Sequence, residues 1–190
     1  MARRGGTWVQ RWRVPLGFAC AAVFIVLAKP NARSLAVGGA VALVGLGVRA
    51  WASGHIRKND KLAVSGPYAH TRNPLYLGSF VLGIGFTVAA SSSPWLFAAL
   101  GGLFAALFLG IYIPVMRVEA STLAGLFGEE YARYAASVPL LFPRLTPYKH
   151  DESAPVAFDA GLYMRYREYR AALGLLLAWC VLMLKAVLAF

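Results

Sequence analysis

The chain has 190 residues, of which 59% are hydrophobic and only 14% are charged. Ordinary soluble domains hold about 45–50% apolar and about 25% charged residues, so this composition excludes a disordered chain, a coiled coil and almost any soluble globular domain. The formal net charge is +11. Because the basic residues flank long apolar runs, they indicate a membrane protein surrounded by lipid and no nucleic-acid partner.

Five apolar runs follow one another along the chain and predict an all-α, polytopic transmembrane helix bundle of about five spans in a single membrane domain, residues 1–190. The runs are residues 14–28, 35–52, 73–93, 95–116 and 171–190. The third and fourth runs are the strongest, because each has more than 20 residues without a charge. Pro114 removes one helix hydrogen bond and therefore predicts a kink near the end of the fourth span.

The distribution of basic residues predicts the orientation of the bundle. With the N-terminus in the cytoplasm, sixteen of the 19 Lys and Arg residues fall in inner segments and two in outer loops. The positive-inside rule then predicts an inner or plasma membrane protein whose N-terminus is cytoplasmic. Two alternatives stay open: residues 1–36 have the pattern of a signal peptide, and some short runs have the length of a re-entrant hairpin.

Two polar segments, residues 53–73 and 117–170, are predicted to share the cytoplasmic face. In the first, Asn73 precedes Pro74 and is predicted to cap the third span, whose free backbone N–H groups favour a carboxylate or another anion. Arg72 is suited to a bidentate contact with such an anion, and the alternative, which the pattern alone favours slightly, is that it anchors the helix end to lipid headgroups.

In the second segment, Glu119 lies close to the fourth span. A carboxylate near hydrocarbon is expected to have a cationic partner, and Arg49, Arg72 or a ligand's ammonium or sulfonium group are the candidates. Tyr131 and Tyr134 lie three apart on a short predicted helix, as part of an aromatic wall or of an interfacial belt. The histidines show no metal-ligand spacing, so no metal site is predicted.

These residues resemble the isoprenylcysteine carboxyl methyltransferase and phospholipid methyltransferase family of integral membrane enzymes. The first family motif matches Gly66-Pro67-Tyr68, Arg72-Asn73-Pro74, Tyr76 and Gly78. The second matches Glu119-Ala120, Phe127-Gly128, Tyr131, Tyr134 and Val138-Pro139. The resemblance covers residues 35–143, a family-like catalytic core, and leaves residues 144–190 as an extra C-terminal segment with a final span.

The resemblance implies methyl transfer from S-adenosylmethionine to a lipophilic acceptor, such as a prenylcysteine-like carboxylate or another lipid, in a pocket at the cytoplasmic face. Arg72 or Arg117 is expected to orient an anionic acceptor that enters from the bilayer. The residues expected to hold the cofactor are Lys61, Leu62, Ala63, Tyr68, Asn73, Pro74, Leu75, Tyr76, Glu119, Tyr131 and Tyr134.

The sequence departs from the family pattern at two positions. Asn73 replaces a histidine, so this position can form hydrogen bonds but cannot titrate. Ala120 replaces a second glutamate. The alternatives to a methyltransferase are an NADPH-dependent membrane reductase of related fold and a non-enzymatic membrane protein. The sequence predicts neither the acceptor nor the oligomeric state.

Overall fold

A computed structural model describes residues 8–56, 61–149 and 157–188, with residues 8–14, 16 and 18 described by their backbone alone. The described part is helical and contains no strand, which confirms the predicted all-α class. Six α-helices and one short 3₁₀ helix, Gly66–Ala69, follow in chain order. The α-helices are α1 (Trp8–Leu27), α2 (Ala32–Ser53), α3 (Pro74–Ala89), α4 (Pro94–Ser137), α5 (Ala160–Arg165) and α6 (Tyr169–Leu188).

Three of the described helices, α2, α4 and α6, are long and apolar enough to cross a membrane. The third predicted span is shorter than expected, because α3 has 16 residues and ends at Ala89. At 1.5 Å per residue it is about 24 Å long, less than the roughly 30 Å of a bilayer core. The serines after it form the turn into α4, where Ser93 accepts a hydrogen bond from the backbone N–H of Leu96.

Helices α2 and α3 pack with their backbones in direct contact along a seam of glycines. A Cβ atom placed on Gly38 would lie 2.5 Å from the backbone N of Ala89, and one on Gly85 would lie 2.7 Å from the backbone O of Gly38. Arg49 lies one turn before the end of α2, and a Cβ on Gly78 of α3 would lie 2.7 Å from its Cγ. Only glycine fits these positions, so the seam fixes α2 against α3 and leaves room for the Arg49 side chain.

The helices alternate in direction, so their ends gather in two groups. At what we call the far end, the N–H of Lys29, after α1, donates to the carbonyl of Ala90, after α3. Ser34 in the first turn of α2 donates its hydroxyl to the carbonyl of Ala89. Lys185 of α6 donates to two carbonyls of α1, with a distance of 2.9 Å to Val26. The opposite end, which we call the site end, therefore holds the end of α2, the start of α3 and the start of α6.

Helix α4 is interrupted once, at a glycine. Gly128 has φ 50° and ψ −123°, and no other residue of α4 has non-helical backbone angles, Pro114 included. The sequence analysis predicted a kink at Pro114 but not this interruption at Gly128, where a residue without Cβ adopts positive φ at little cost. The short helical segment after Gly128 carries Tyr131 and Tyr134 back over the site end.

The C-terminal segment docks on the end of α2. The N–H of Asp159 donates to the carbonyl of Gly54 at 3.0 Å, and the Phe158 ring lies 6.3 Å from the ring of His55. Between α5 and α6, Arg167 adopts φ 56°, which is unfavourable for a residue with a side chain. This turn brings the next residue, Glu168, to α2.

Candidate functional site

A cavity of about 530 Å³ opens at the site end, within the size range of roughly 300–1,000 Å³ that is typical of ligand pockets. Both polar segments of the sequence contribute to it, together with the end of α2 and one face of α4. Its lining includes Arg49, Lys61, Leu62, Ala63, Tyr68, Arg72, Asn73, Pro74, Leu75, Tyr76, Ser79, Tyr112, Met116, Glu119, Phe127, Tyr131 and Tyr134.

The cavity brings together all the residues that the sequence analysis assigned to a site except Arg117. Arg117 is exposed, whereas its neighbour Met116 is fully buried and lines the cavity. One helical step turns a side chain by about 100°, so the face of α4 that carries Met116 and Glu119 points away from Arg117. The structure thus leaves Arg72, but not Arg117, beside the expected cofactor residues.

Glu119 presents an exposed carboxylate at the cavity, and no cationic side chain of the described residues forms an ion pair with it. The hydroxyl of Tyr76 donates to its Oε1 at 2.9 Å. Among the residues that the structure describes, the single ion pair is the one between Arg49 and Glu168, so neither expected arginine partner is paired with Glu119. The charge of this carboxylate remains available for a cationic group of a ligand.

Hydrogen bonds pin the loop before α3 to the loop after α4. The backbone N–H of Arg72 donates to the carbonyl of Pro139 at 3.0 Å, and Nδ2 of Asn73 donates to the carbonyl of Leu140 at 2.9 Å. Thr71 donates its hydroxyl to the carbonyl of Leu141 at 2.8 Å. These bonds hold the two sequence motifs against each other.

Asn73 occupies the N-cap position of α3, as expected, but its side chain makes no capping hydrogen bond. The predicted cap position is therefore confirmed, and the amide of Asn73 is used in the loop contact with Leu140 instead of a capping hydrogen bond. The first N–H groups of α3 donate no hydrogen bond to the side chain of Asn73, and Leu75 and Tyr76 in this first turn line the cavity. A helix start of this kind favours an anionic group.

Three buried donors around the cavity lack a hydrogen-bond partner in the described part of the chain. They are Nε of Arg49, Nε of Arg72 and the hydroxyl of Tyr68. Leaving a buried donor unpaired costs about 1–3 kcal/mol, so such groups call for an explanation. All three residues line this one cavity.

Tyr68 is a neutral donor in this setting. Its side chain is 5% exposed, and burial raises the pKa of its phenol above the ordinary value. Its backbone carbonyl accepts a hydrogen bond from Tyr134 at 2.8 Å. Arg72 in turn donates from Nη1 to the hydroxyl of Tyr131 at 3.3 Å. The two tyrosines after Gly128 thus fix the first motif from the other side of the cavity.

The Arg49–Glu168 pair is the contribution that sequence reasoning missed. Nη2 of Arg49 lies 2.6 Å from Oε2 of Glu168, and Nη1 donates to the carbonyl of Leu75 and to Ser79. A charge inside the apolar run of α2 signals a functional or paired residue. No comparable signal marks Glu168 in the sequence. In the described residues, no group of three or more His, Cys, Asp or Glu side chains is arranged to hold a metal ion.

Fold and cavity together define a polytopic helical membrane protein with a ligand-sized site at one end of its bundle. Residues 40–130 match the family model for phospholipid methyltransferase. The match places residues 40–130 in similarity to the isoprenylcysteine and phospholipid methyltransferase family, and it confirms the resemblance drawn from the two motifs.

Two curated relatives are named for metal resistance. The chain is 33% identical over 156 residues to the cobalt-zinc-cadmium resistance protein CzcN of Cupriavidus metallidurans, an alignment that covers 80% of this chain and 59% of the relative. It is 32% identical over 107 residues to the nickel-cobalt-cadmium resistance protein NccN of Alcaligenes xylosoxydans xylosoxydans, covering 55% of this chain and 47% of the relative. The chain thus spans about half the length of each relative. No solved structure matches the chain.

Proposed function

We propose that the protein transfers a methyl group from S-adenosylmethionine to a lipophilic acceptor at one face of the membrane. The observation that carries this proposal is that three buried donors without a described partner and the carboxylate of Glu119 line a single cavity. The family match of residues 40–130 supports the same chemistry.

The charges of the cavity fit those of the cofactor. S-adenosylmethionine has an ammonium and a carboxylate on its amino acid part and supplies a methyl group on a sulfonium. We assign the ammonium to Glu119, whose carboxylate Tyr76 holds in place. Lys61, Leu62 and Ala63 also line the cavity, as do Asn73, Pro74 and Leu75 around the start of α3.

Positioning is the main task of the remaining residues. Displacement of a methyl group from a sulfonium requires alignment of the two reactants more than it requires a base. We assign Arg72 to the orientation of an anionic acceptor, with its unpaired Nε as the donor. Tyr131 and Tyr134 keep Arg72 and Tyr68 in place, and Tyr68 contributes a neutral hydroxyl.

The proposal includes the membrane face and the cellular setting. The bias of basic residues supports a cytoplasmic site end and a cytoplasmic N-terminus. The two relatives are named for resistance to cobalt, zinc, nickel and cadmium. Growth in the presence of these cations is therefore the cellular measurement that we propose for a strain that lacks the gene.

Binding of the cofactor tests the proposal directly. Calorimetric titration of the detergent-purified protein with S-adenosylmethionine, and separately with S-adenosylhomocysteine, is expected to give saturable binding. Glu119→Gln keeps the shape but removes the charge, and we expect the affinity for S-adenosylmethionine to fall by about 10- to 100-fold, the value of a hydrogen bond to a charged group.

The matched control is Glu129→Gln, on the same helix and exposed outside the cavity. It is expected to bind like the wild type. Equal affinity of Glu119→Gln and the wild type would contradict the assigned role of Glu119. Binding of NADPH in place of both adenosyl compounds would favour the reductase, and binding of none of them by the folded protein would favour a non-enzymatic role.

A further inference from the structure

A second cavity lies beside the first and differs from it in chemistry. It has a volume of about 460 Å³, and its walls are apolar side chains and glycines of α1, α3, α4 and α6. Phe24, Phe86 and Phe104 form much of its surface. Gly17 of α1 and Gly174 of α6 also line it, and both are exposed, so the cavity is open on the side where α1 and α6 face the bilayer.

The two cavities meet at Arg49 and Ser79, which line both of them. Arg49 uses Nη1 and Nη2 within the protein, but its buried Nε has no partner in the described structure. A polar atom that lies at this junction would receive the missing hydrogen bond, while an attached apolar chain would extend into the second cavity. The junction thus suits a lipid with two parts: a headgroup that enters the first cavity and an apolar chain that extends into the second.

The C-terminal segment builds this junction. Helix α6 provides one wall through Ala171, Gly174, Leu175 and Ala178, and Glu168 just before it holds Arg49. The turn that carries Glu168 adopts the unfavourable φ of 56° at Arg167. A strained backbone conformation of this kind persists only where the surrounding contacts hold it in place. Such positions are often found at binding sites. These residues lie outside the part of the chain that matches the family, residues 40–130.

We propose that the second cavity binds the apolar chain of the methyl acceptor, with Arg49 as the hydrogen-bond donor where the chain joins the reacting group. The proposal rests on the proposed methyltransferase function for the identity of the acceptor. It assigns the C-terminal segment a role in acceptor recognition and none in cofactor binding.

Two glycines allow the cavity to be filled without disturbing the backbone. A Cβ atom on Gly174 or on Gly17 would meet no other atom within 4 Å. Gly174→Leu is therefore expected to place its side chain in the cavity, and Gly17→Leu is expected to do the same from α1. The matched control is Gly102→Leu on α4, which has the same free space but lines neither cavity.

The experiment uses the full chain in detergent and palmityl alcohol with a diazirine in its chain as the photoreactive probe. In the wild type we expect labelled peptides from α1, α3 and α6, suppressed by excess unlabelled palmityl alcohol. Gly174→Leu and Gly17→Leu are expected to lower this suppressible labelling by on the order of 10-fold, the effect of a changed side chain in an apolar pocket. Gly102→Leu is expected to label like the wild type.

Cofactor binding separates the two proposals. If S-adenosylhomocysteine binds all variants equally while labelling falls only in the two cavity variants, the second cavity is the chain site. If labelling is unchanged in both cavity variants, or falls equally in Gly102→Leu, the proposal is overturned even where S-adenosylhomocysteine binds. Failure of the wild type to bind either adenosyl compound overturns the methyltransferase function, and the labelling result still decides whether the cavity holds an apolar chain.

Discussion

The two ends of the bundle satisfy their polar groups in different ways. At the far end, Asn31 and Ser34 form a reciprocal capping box, and Ser34 and Lys185 donate to carbonyls of neighbouring helices. At the site end, the three buried donors without a described partner line one cavity, and Glu119 forms no ion pair with a described residue. In the described residues, the buried polar side chains of the far end are paired within the protein, whereas those of the site end leave three donors for the ligand that we propose.

This difference predicts that changes at the two ends have separable effects. Substitutions in the packed part of the bundle, the glycine seam and the far end, should lower stability without a specific effect on ligand binding. Substitutions around the cavity should weaken binding and leave stability nearly unchanged, or even raise it, because unpaired buried donors reduce stability in the absence of a ligand. The following predictions are ordered from the largest expected effect to the smallest.

The largest effect is expected in the glycine seam. A Cβ on Gly45 would lie under 3.0 Å from backbone atoms of Leu82, which cannot move aside as a flexible side chain does. Gly45→Ala should therefore lower the unfolding free energy by about 1–3 kcal/mol or more, the cost of overpacking. Thermal unfolding in detergent measures it. Gly47→Ala, on the same helix with no atom within 4 Å of its Cβ, is the control. Equal stability of the two variants would contradict the close packing.

At the cavity, removal of one hydroxyl should weaken binding without unfolding the protein. Tyr76→Phe deletes the hydrogen bond to Glu119 but keeps the ring, which packs 5.2 Å from that of Tyr112. Because this hydrogen bond is exposed, we expect the affinity for S-adenosylhomocysteine to fall by about 3- to 10-fold. This is less than the loss expected when a buried hydrogen bond to a charged group is removed. Calorimetry measures the affinity. A drop of the same size in Tyr163→Phe, which does not line the cavity, would show that the effect is not specific.

The ion pair that joins the C-terminal segment to α2 should contribute modestly to stability. The side chains of Arg49 and Glu168 are 22% and 13% exposed, between a surface pair and a fully buried one. Glu168→Gln should cost about 1 kcal/mol of unfolding free energy, above the median for surface pairs and well below the cost of breaking a buried pair. Thermal unfolding measures this, with cofactor affinity unchanged. A loss of cofactor affinity as large as that of Glu119→Gln would contradict the separation of cofactor and acceptor sites.

The helical fold and the meeting of the two motifs could be predicted from sequence, because hydrophobic run length and motif spacing are local patterns. The position of the break in α4 could not, since Pro114 and Gly128 are both able to interrupt a helix and only packing decides between them. The length of α3 was overestimated because three uncharged serines extend its apolar run into the turn.

Around the cavity, the sequence does not show in which direction each side chain of α4 points. It also does not show which residues far apart along the chain come into contact. Arg117 and Glu119 are two positions apart, and only the rotation of α4 against its neighbours places one at the cavity and the other on the surface. Glu168 lies 119 positions from Arg49, and no spacing rule joins them. Ion pairs between segments so far apart become visible only when the tertiary structure is known.

The smallest effect concerns Asn73, which stands where the family pattern given in the sequence analysis has a histidine. Its amide donates to the carbonyl of Leu140, so its present role is to hold the loop. Asn73→His retains a donor and should change the rate of methyl transfer only a few-fold at neutral pH. It should also add a new dependence of the rate on pH near the ordinary histidine pKa of about 6.5, which an amide cannot provide. Rates measured between pH 5.5 and 8 for both proteins test this. If the variant and the wild type share one pH profile, residue 73 does not contact the reacting groups, and its role is confined to the loop contact with Leu140.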